Sequence, residues 1–320
     1  WTDRNWRFLF RQIAREPLLY TEMVMDSAVL YNTHCLDDHI GFDRTVEPPL
    51  ALQLGGNDPE TLGRAVDAVE TYSSEGGGGF SEINLNAGCP SNKAKRAGFG
   101  AELMQEPELV RQICSSMVRR SRGAEVTVKC RIGTDRRDSW ADLLQFVHAC
   151  RDGGVRRVVV HSRICVMCGL SPAQNRSVPP LRYDAVHRLA GCFPDMRFVL
   201  NGGLHCCDDF DAHLGTGGGH IGGGGYPYPC EHVRLWPPVQ GVMVGREAYH
   251  NPWAWADVDR RYYGTANPCV SRREALLAYI DYAETVLEGG RVRSSLPYLV
   301  KPLHNFFSGC PTNKQYKQRL

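Results

Sequence analysis

The stretch SEINLNAGC, residues 81–89, is a short apolar strand that runs into a polar turn and ends on a cysteine, Cys89. The same pattern, an apolar run followed by a chemically useful side chain, recurs along the chain. Six further runs share it: LLYTEMV (18–24), PLALQLGG (49–56), VTVKCRIG (126–133), RRVVVHSR (156–163), MRFVLNGG (196–203) and GVMVGREA (241–248). Several are continuous in apolar or β-branched residues, as strands buried on both faces are. The sequence therefore predicts seven parallel strands.

Stretches with helical spacing lie between most of these runs. Residues 59–72, 107–120 and 139–150 repeat apolar side chains at the helical period. Pro59 suits a first helical turn, and Ser139 suits an N-cap. A further helix is predicted over residues 3–15, ahead of the first run. Alternating strands and helices indicate βα units around a parallel sheet.

The residues at the strand ends separate two architectures. An open doubly wound sheet gathers its ligand groups at one switch point, whereas a (β/α)8 barrel gathers them from many strands around one mouth. Here the runs end in Gln53, Cys89, Lys129 with Arg131, His161 with Arg163, Asn201–Gly202–Gly203, and Gly245–Arg246. The predicted fold class is therefore α/β, a TIM (β/α)8 barrel. Because seven strands are found, its first strand is expected to precede Trp1.

The strands stop after Pro252, and the rest of the chain reads as helical. Residues 273–289 and 295–307 are predicted helices, the second interrupted by Pro302. We predict a catalytic barrel over residues 1–255 and a small helical domain over residues 270–320. The Gly- and Pro-rich segment 214–240 is predicted to be an insertion in the loop between the last two strands.

Composition limits the class of protein. The chain has 320 residues, of which 42% are hydrophobic and 22% charged, as in a globular protein. It has no apolar run of about 18 residues, so no membrane span is predicted, and no obligate protein partner is evident. Its 13 cysteines are scattered through a long chain, and they are expected to be reduced thiols. The pair Cys165–Cys168 has no second pair at zinc spacing, so no metal site is predicted.

Charge is distributed unevenly, although the net charge is only +2. Residues 163–182 and 289–320 contain no Asp or Glu but carry several Lys and Arg, including Arg176 and Lys301. Lys93 belongs to a third basic group, just after Cys89. Basic patches of this kind are typical of a polyanion partner. We therefore predict a nucleic-acid partner.

Two features point to a phosphate-bearing cofactor at the barrel mouth. A basic side chain such as Lys129 beside a ring with partial negative charge is typical of a flavin site. The glycines at 202, 203 and 245 lie at the ends of the last two strands, where barrels commonly bind phosphate through backbone N–H groups. Arg246 could add a charge-assisted pair. Together they predict a mononucleotide cofactor.

At this point the chain resembles a known family, the tRNA-dihydrouridine synthases, and most closely their bacterial A-type subfamily. The matching segments follow the family's order along nearly the whole chain. They are YTEMV (20–24), ALQLGGNDP (51–59), EINLNAGCPS (82–91), GFGAELM (98–104), VTVKCRIG (126–133), GLSPAQNRSVPPL (169–181), NGG (201–203), GVMVGREAYHNP (241–252) and, more loosely, GCPTNKQYKQRL (309–320).

The resemblance implies an oxidoreductase that reduces the C5–C6 double bond of a D-loop uridine in tRNA, at positions 20 and 20a, with FMN as cofactor and NADPH as reductant. Cys89 is similar to the family's proton donor, and a thiol is mostly protonated at neutral pH. Asn86 resembles a residue that contacts flavin and uridine. The implied FMN contacts are Gln53, Lys129, His161, Asn201, Gly202, Gly203, Gly245 and Arg246. The implied tRNA contacts are Lys93, Arg163, Arg176 and Lys301.

Some questions stay open at this level. The family's first strand carries an Ala-Pro-Met segment against the flavin, and it would precede Trp1, so weak FMN retention and poor stability are expected of residues 1–320. A flavin barrel dehydrogenase acting on a free pyrimidine, or a tRNA-binding protein without turnover, are the alternatives. The location is expected to be cytoplasmic, or an organelle if a targeting peptide precedes residue 1.

Overall fold

The computed structural model describes residues 1–215, 237–289 and 295–320. Its centre is a parallel sheet made of β1 (Leu19–Tyr20), β2 (Val24–Met25), β3 (Leu50–Gly55), β4 (Glu82–Asn86), β5 (Glu125–Arg131), β6 (Arg157–His161), β7 (Arg197–Asn201) and β8 (Gly241–Met243). The α-helices of the described residues are α1 (Arg4–Arg11), α2 (Asp26–Tyr31), α3 (Leu36–Ile40), α4 (Pro59–Glu75), α5 (Asn92–Arg96), α6 (Pro107–Arg120), α7 (Trp140–Asp152), α8 (Tyr183–Cys192), α9 (Cys207–Leu214), α10 (Arg246–His250), α11 (Arg272–Glu288), α12 (Leu296–Val300) and α13 (Asn313–Arg319).

The sheet follows the order of the chain. Strands β1 and β2 both pair with β3, in adjacent registers, and so fill one position. From β3 to β8 each strand pairs in parallel with the next. This is the strand order of a (β/α)8 barrel, and the predicted fold class is confirmed. Within the described ranges no ladder joins β8 to β1, so the sheet is open between these two strands.

Strand β4 shows how the sequence divides between the two faces of the sheet. Successive side chains of a strand point to opposite faces. Ile83 and Leu85 are fully buried in the hydrophobic core. Glu82, Asn84 and Asn86 share the other face, and Asn86 reaches a cavity inside the curl. An apolar outer face is thus covered by helices, while a polar face is turned toward the barrel interior.

Most predicted elements are confirmed, with differences at the start of the chain. The predicted helices 59–72, 107–120 and 139–150 are α4, α6 and α7, and Ser139 caps α7 in a capping box with Asp142. The first predicted strand, 18–24, is split into β1 and β2. The side-chain hydroxyl of Thr21 accepts the backbone N–H of Gln53 at 3.2 Å, where a continuous ladder would offer a carbonyl.

The last part of the chain packs against α1. The ring of Tyr282 on α11 stacks on Phe8 with centroids 3.9 Å apart, and its hydroxyl donates to Asn5 at 2.8 Å. Helix α12 ends at Val300, before Pro302, and a 3-10 turn follows over Lys301–Asn305, so the predicted interruption is confirmed. The domain boundary near residue 270 stays a prediction. Most of the predicted insertion 214–240 lies outside the described residues.

No helix in the described part of the chain is both long enough and apolar enough to cross a bilayer.

Candidate active site

A cavity of about 990 Å³ runs along the inner face of the sheet, from the amino ends of β6, β7 and β8 to the carboxyl ends of the strands. That volume lies within the range of small-molecule and cofactor sites. Every predicted cofactor residue lines it, together with the predicted proton donor and two of the predicted substrate residues: Gln53, Asn86, Cys89, Lys129, His161, Arg176, Asn201, Gly202, Gly203, Gly245 and Arg246. The fold therefore brings together side chains that are far apart in sequence.

The cavity is cationic near the carboxyl ends of the strands. Lys129, Arg131, Arg176 and Arg246 line it there, whereas among the described residues Glu247 is the one acid that lines it. Arg157 and Arg197, at the amino ends of β6 and β7, also line it but form ion pairs with Glu82 and Glu125. A surplus of cations in a partly enclosed cavity favours an anionic ligand, because burial strengthens the attraction between opposite charges.

Cys89 is held in a tight turn after β4. The Asn86 Oδ1 atom accepts the backbone N–H groups of Gly88 at 3.1 Å and of Cys89 at 2.9 Å. The Cys89 thiol lies 3.4 Å from the hydroxyl of Ser91, which also caps α5. A Cβ on Gly100, whose φ is +68°, would come within 2.7 Å of the Cys89 carbonyl oxygen, so glycine is needed there. These contacts fix the thiol at the edge of the cavity.

Lys129 projects from β5 without a carboxylate partner in the described residues. Its Nζ donates to Asn201 Oδ1 at 3.0 Å, and Asn201 Nδ2 donates to the Met243 carbonyl at 2.7 Å. Burial, and secondarily the charge of Arg131, lower the pKa of Lys129 to about 8. An ammonium group held in this way is available to an anionic ligand.

His161 ends β6 beside the glycine pair. Its side chain is 8% exposed, and its Nδ1 atom has no hydrogen-bond partner among the described residues. Burial, with the positive charges of Arg131 and Lys129, lowers the pKa of His161 to about 2. The imidazole is therefore neutral at physiological pH, and its buried Nδ1 atom is available for a hydrogen bond. Such orphaned atoms are uncommon and need an explanation, which a ligand would supply.

The glycine pair after β7 packs closely against its neighbours, and a Cβ on Gly202 would lie 3.1 Å from the His161 ring. Gly202 and Gly203 have φ values of +106° and +72°, which side chains other than glycine rarely adopt. A Cβ on Gly203 would lie 2.5 Å from a methyl carbon of Leu181 and 2.6 Å from the Tyr183 hydroxyl. At Gly245 a Cβ would meet no heavy atom within 4 Å, so the space there is open. A ligand can therefore approach the backbone closely at Gly245.

Arg131 lies at a predicted strand end but was not predicted to be a site residue. It is 4% exposed and donates to the carbonyls of Gly88 at 3.1 Å, Ile164 at 2.9 Å and Asn175 at 2.9 Å. It thereby ties the Cys89 turn to the loop that carries Arg176. Its position two residues after Lys129, on the same face of β5, was the available signal.

The predicted tRNA contacts are spread over different places. Arg176 lines the cavity, and its guanidinium lies 5.6 Å over the ring of Trp1. Lys93 is exposed on α5, and Arg163 donates to the Pro179 carbonyl. Lys301 Nζ lies 3.3 Å from Asp3 Oδ2. The last three do not line the cavity, so any role they have is on the surface around it.

The described part of the chain holds no group of three or more His, Cys, Asp or Glu residues that could ligate an ion. Cys165 is fully buried, whereas Cys168 is exposed and pairs with the Lys95 ammonium at 3.0 Å.

Comparison with known proteins gives one consistent result. Residues 1–230 match the family model described as dihydrouridine synthase (Dus). A protein of Pseudomonas putida named tRNA-dihydrouridine(20/20a) synthase is 40% identical over all of this chain and 85% of its own length. Proteins with the same name from Pseudomonas aeruginosa and Synechocystis are 39% and 37% identical, again over the whole chain and 86% and 85% of theirs. The chain belongs to the dihydrouridine synthase family.

Proposed function

We propose that this protein is an FMN-dependent tRNA-dihydrouridine synthase that reduces uridines at positions 20 and 20a of the tRNA D-loop and takes its electrons from NADPH. One observation carries the proposal: a single cationic cavity collects Cys89, Lys129, His161 and the glycine turns from separate strands. The relatives named for positions 20/20a span the whole chain at up to 40% identity, which supports the choice of substrate.

The residues at the cavity fit FMN. The glycine turns at 202–203 and 245, with Arg246, would hold the phosphate, and the unpartnered His161 Nδ1 gives that group a further contact. Lys129 and Gln53 would lie against the ring, where Lys129 compensates negative charge. When bound, FMN supplies the hydride that adds to C6 of the uracil ring.

Cys89 would act as the general acid. Its Sγ gives a proton to C5 of the ring, which completes the reduction of the double bond. Asn86 holds the turn that presents the thiol and also lines the cavity, so it can contact the same base.

The RNA would be held by the cationic surface outside the cavity. A uracil stacked inside folded tRNA cannot reach Cys89, so the base must leave its stack, which is easiest in a loop. Arg176 at the rim, with Lys93, Arg163, Lys301 and the helical segment 270–320, would bind phosphates around the extruded nucleotide.

A tRNA assay tests the proposed function. The chain is incubated with saturating FMN, NADPH and unmodified tRNA, and dihydrouridine is measured by mass spectrometry after nuclease digestion. The matched control is the same transcript with cytidine at positions 20 and 20a. We expect dihydrouridine in the first transcript alone. Reduction of free uracil or orotate without reaction on tRNA would show a pyrimidine dehydrogenase, and tRNA binding without any reduction would show a binding protein.

A further inference from the structure

A row of polar side chains crosses the barrel interior behind the cavity. Gln53 on β3, Asn84 on β4 and Thr127 on β5 occupy facing positions of three adjacent strands. Asn84 and Thr127 are fully buried, and so is Glu82 two residues before Asn84. Buried polar groups in place of apolar packing cost free energy unless each is hydrogen-bonded, so the partners of each group decide what the row does.

The hydrogen bonds of this row form one continuous chain, which we call the amide relay (Glu82, Thr127, Asn84, Gln53 and Asn86). Asn86 Nδ2 donates to Gln53 Oε1 at 2.8 Å, and Gln53 Nε2 donates to Asn84 Oδ1 at 2.8 Å. Asn84 Nδ2 donates to the Thr127 hydroxyl at 2.7 Å. That hydroxyl donates to the Glu82 carboxylate.

The Asn86 end sets the direction of the amide relay. The backbone N–H groups of Gly88 and Cys89 can only donate, so the atom of Asn86 that they meet is its oxygen. Asn86 therefore donates to Gln53, Gln53 to Asn84 and Asn84 to the Thr127 hydroxyl, which leaves the hydroxyl proton for Glu82. Burial raises the pKa of Glu82, although Arg157 lies 2.7 Å from its second oxygen. The orientation of each amide does not depend on the charge of Glu82.

The direction of the amide relay determines which polar groups of Asn86 and Gln53 remain available to a ligand in the cavity. The oxygen of Asn86 already accepts two backbone N–H groups, which uses both of its lone pairs. The hydrogen-bonding capacity that Asn86 retains is the second N–H of its amide. Gln53 keeps a second N–H and one lone pair of its oxygen. Both residues line the cavity, so the relay offers two donors and one acceptor there and suits a ligand edge rich in carbonyl oxygens.

We propose that Asn84, Thr127 and Glu82 are positioning residues that hold the Gln53 and Asn86 amides with their N–H groups available to carbonyl acceptors of the cofactor and the substrate base. The inference rests on the proposed function for the identity of those acceptors. The direction of the relay itself follows from the hydrogen bonds of this chain.

Two substitutions at one position separate positioning from packing. Asn84→Leu keeps the size of the side chain but removes the acceptor for Gln53 Nε2 and the donor for Thr127. Asn84→Asp keeps a carboxyl oxygen for Gln53 Nε2, and its protonated form can donate to the Thr127 hydroxyl as Asn84 does, so it should retain the function. Ser116→Ala, at a buried position of α6 outside the relay, controls for a general loss of stability.

The first measurement needs no cofactor. With 15N-labelled side chains, solvent exchange of the Gln53 amide protons is followed by NMR. We expect exchange at least about tenfold faster in Asn84→Leu, since an amide bonded on both sides loses one partner, and near wild type in Asn84→Asp and Ser116→Ala. The second measurement is the FMN dissociation constant by flavin fluorescence. It should rise about tenfold in Asn84→Leu and less than about threefold in the two controls.

The outcomes separate the two proposals. Unchanged amide exchange and unchanged FMN affinity in Asn84→Leu would overturn the positioning role. A wild-type chain that binds no FMN would contradict the proposed function, while the exchange measurement would still decide the relay. If Asn84→Leu does not fold, Thr127→Val is used in its place. Thr127→Ser then serves as the variant expected to retain function. The same two readouts then apply, because serine retains the hydroxyl that bridges Asn84 and Glu82.

Discussion

At the scale of single residues, the charge of Lys129 is expected to contribute to the attraction of the cavity for an anion. Its pKa of about 8 in the free protein means that it loses its proton as the pH rises past that value. Binding of an anionic flavin must then restore the proton, so affinity falls with pH. We expect the FMN dissociation constant to rise between pH 7 and pH 9.5 by up to about tenfold per pH unit above 8.

The matched variant for this prediction is Lys129→Arg. A guanidinium stays charged throughout this range, so its FMN affinity should be weaker overall but flat with pH. Fluorescence titrations at four pH values are sufficient. A wild-type affinity that is constant from pH 7 to pH 9.5 would show that the Lys129 charge does not contribute to binding.

Gly203, in the turn after β7, gives a second prediction for a single residue. An alanine there would adopt a positive φ and place its Cβ 2.5 Å from Leu181. We expect Gly203→Ala to lower the free energy of unfolding by about 1–3 kcal/mol, and to weaken FMN binding as well, measured by urea titration and by fluorescence. Gly245→Ala, whose Cβ meets no protein atom within 4 Å, should lose less stability. Equal stability of Gly203→Ala and wild type would refute the steric reading.

At the scale of secondary-structure elements, the start of α7 is set by its capping box. The Ser139 hydroxyl accepts the Asp142 backbone N–H at 3.1 Å, and the Asp142 carboxylate accepts from Ser139 in return. Ser139→Ala should therefore cost about 1 kcal/mol of stability, whereas Ser139→Thr keeps the cap. Neither should change FMN affinity. Urea denaturation that finds Ser139→Ala as stable as wild type would contradict this assignment.

Strands and helices were predictable from sequence where the local hydrophobic pattern agrees with the burial of the element in the fold. The runs at β4 to β7 are bounded by turns and buried on both sides, so their pattern is sufficient. The helices α2 and α3 were not predicted, because residues 26–40 carry no clear helical period and several polar residues. The split of the first strand at Thr21 also depends on one side-chain contact with Gln53, which no periodicity reveals.

The site was partly predictable for a related reason. Strand ends converge in a barrel, so Gln53, Lys129 and His161 could be placed together before the structure was known. The three hydrogen bonds from Arg131 to separate loops and the direction of the amide relay could not be predicted. Both depend on distances between residues far apart in sequence. The surface roles of Lys93, Arg163 and Lys301 stay predictions.

At the scale of the whole molecule, buried histidines link stability to pH. Burial lowers the pKa of His161 to about 2 and that of His213 to about 4, and His187, 3.1 Å from His213, is lowered as well. An unfolded histidine takes up a proton near pH 6.5, whereas these remain neutral in the fold. The unfolded chain therefore binds more protons below that pH, and stability falls as the pH falls.

We expect the free energy of unfolding, from urea titrations, to be lower at pH 5 than at pH 7.5. The pH dependence should become shallower in His213→Gln, which removes one of the titrating groups. Equal stability at the two pH values would mean that these histidines are already accessible to protons in the folded protein.

The proposed protonation step by Cys89 is tested most directly by single-turnover formation of dihydrouridine. The protein is loaded with FMN, reduced with NADPH and mixed with unmodified tRNA, and the product is quantified over time for wild type and Cys89→Ala. We predict that Cys89→Ala forms dihydrouridine at least about 100-fold more slowly while it binds FMN and tRNA as wild type does. Formation at the wild-type rate in Cys89→Ala would contradict the assignment of Cys89 as the proton donor.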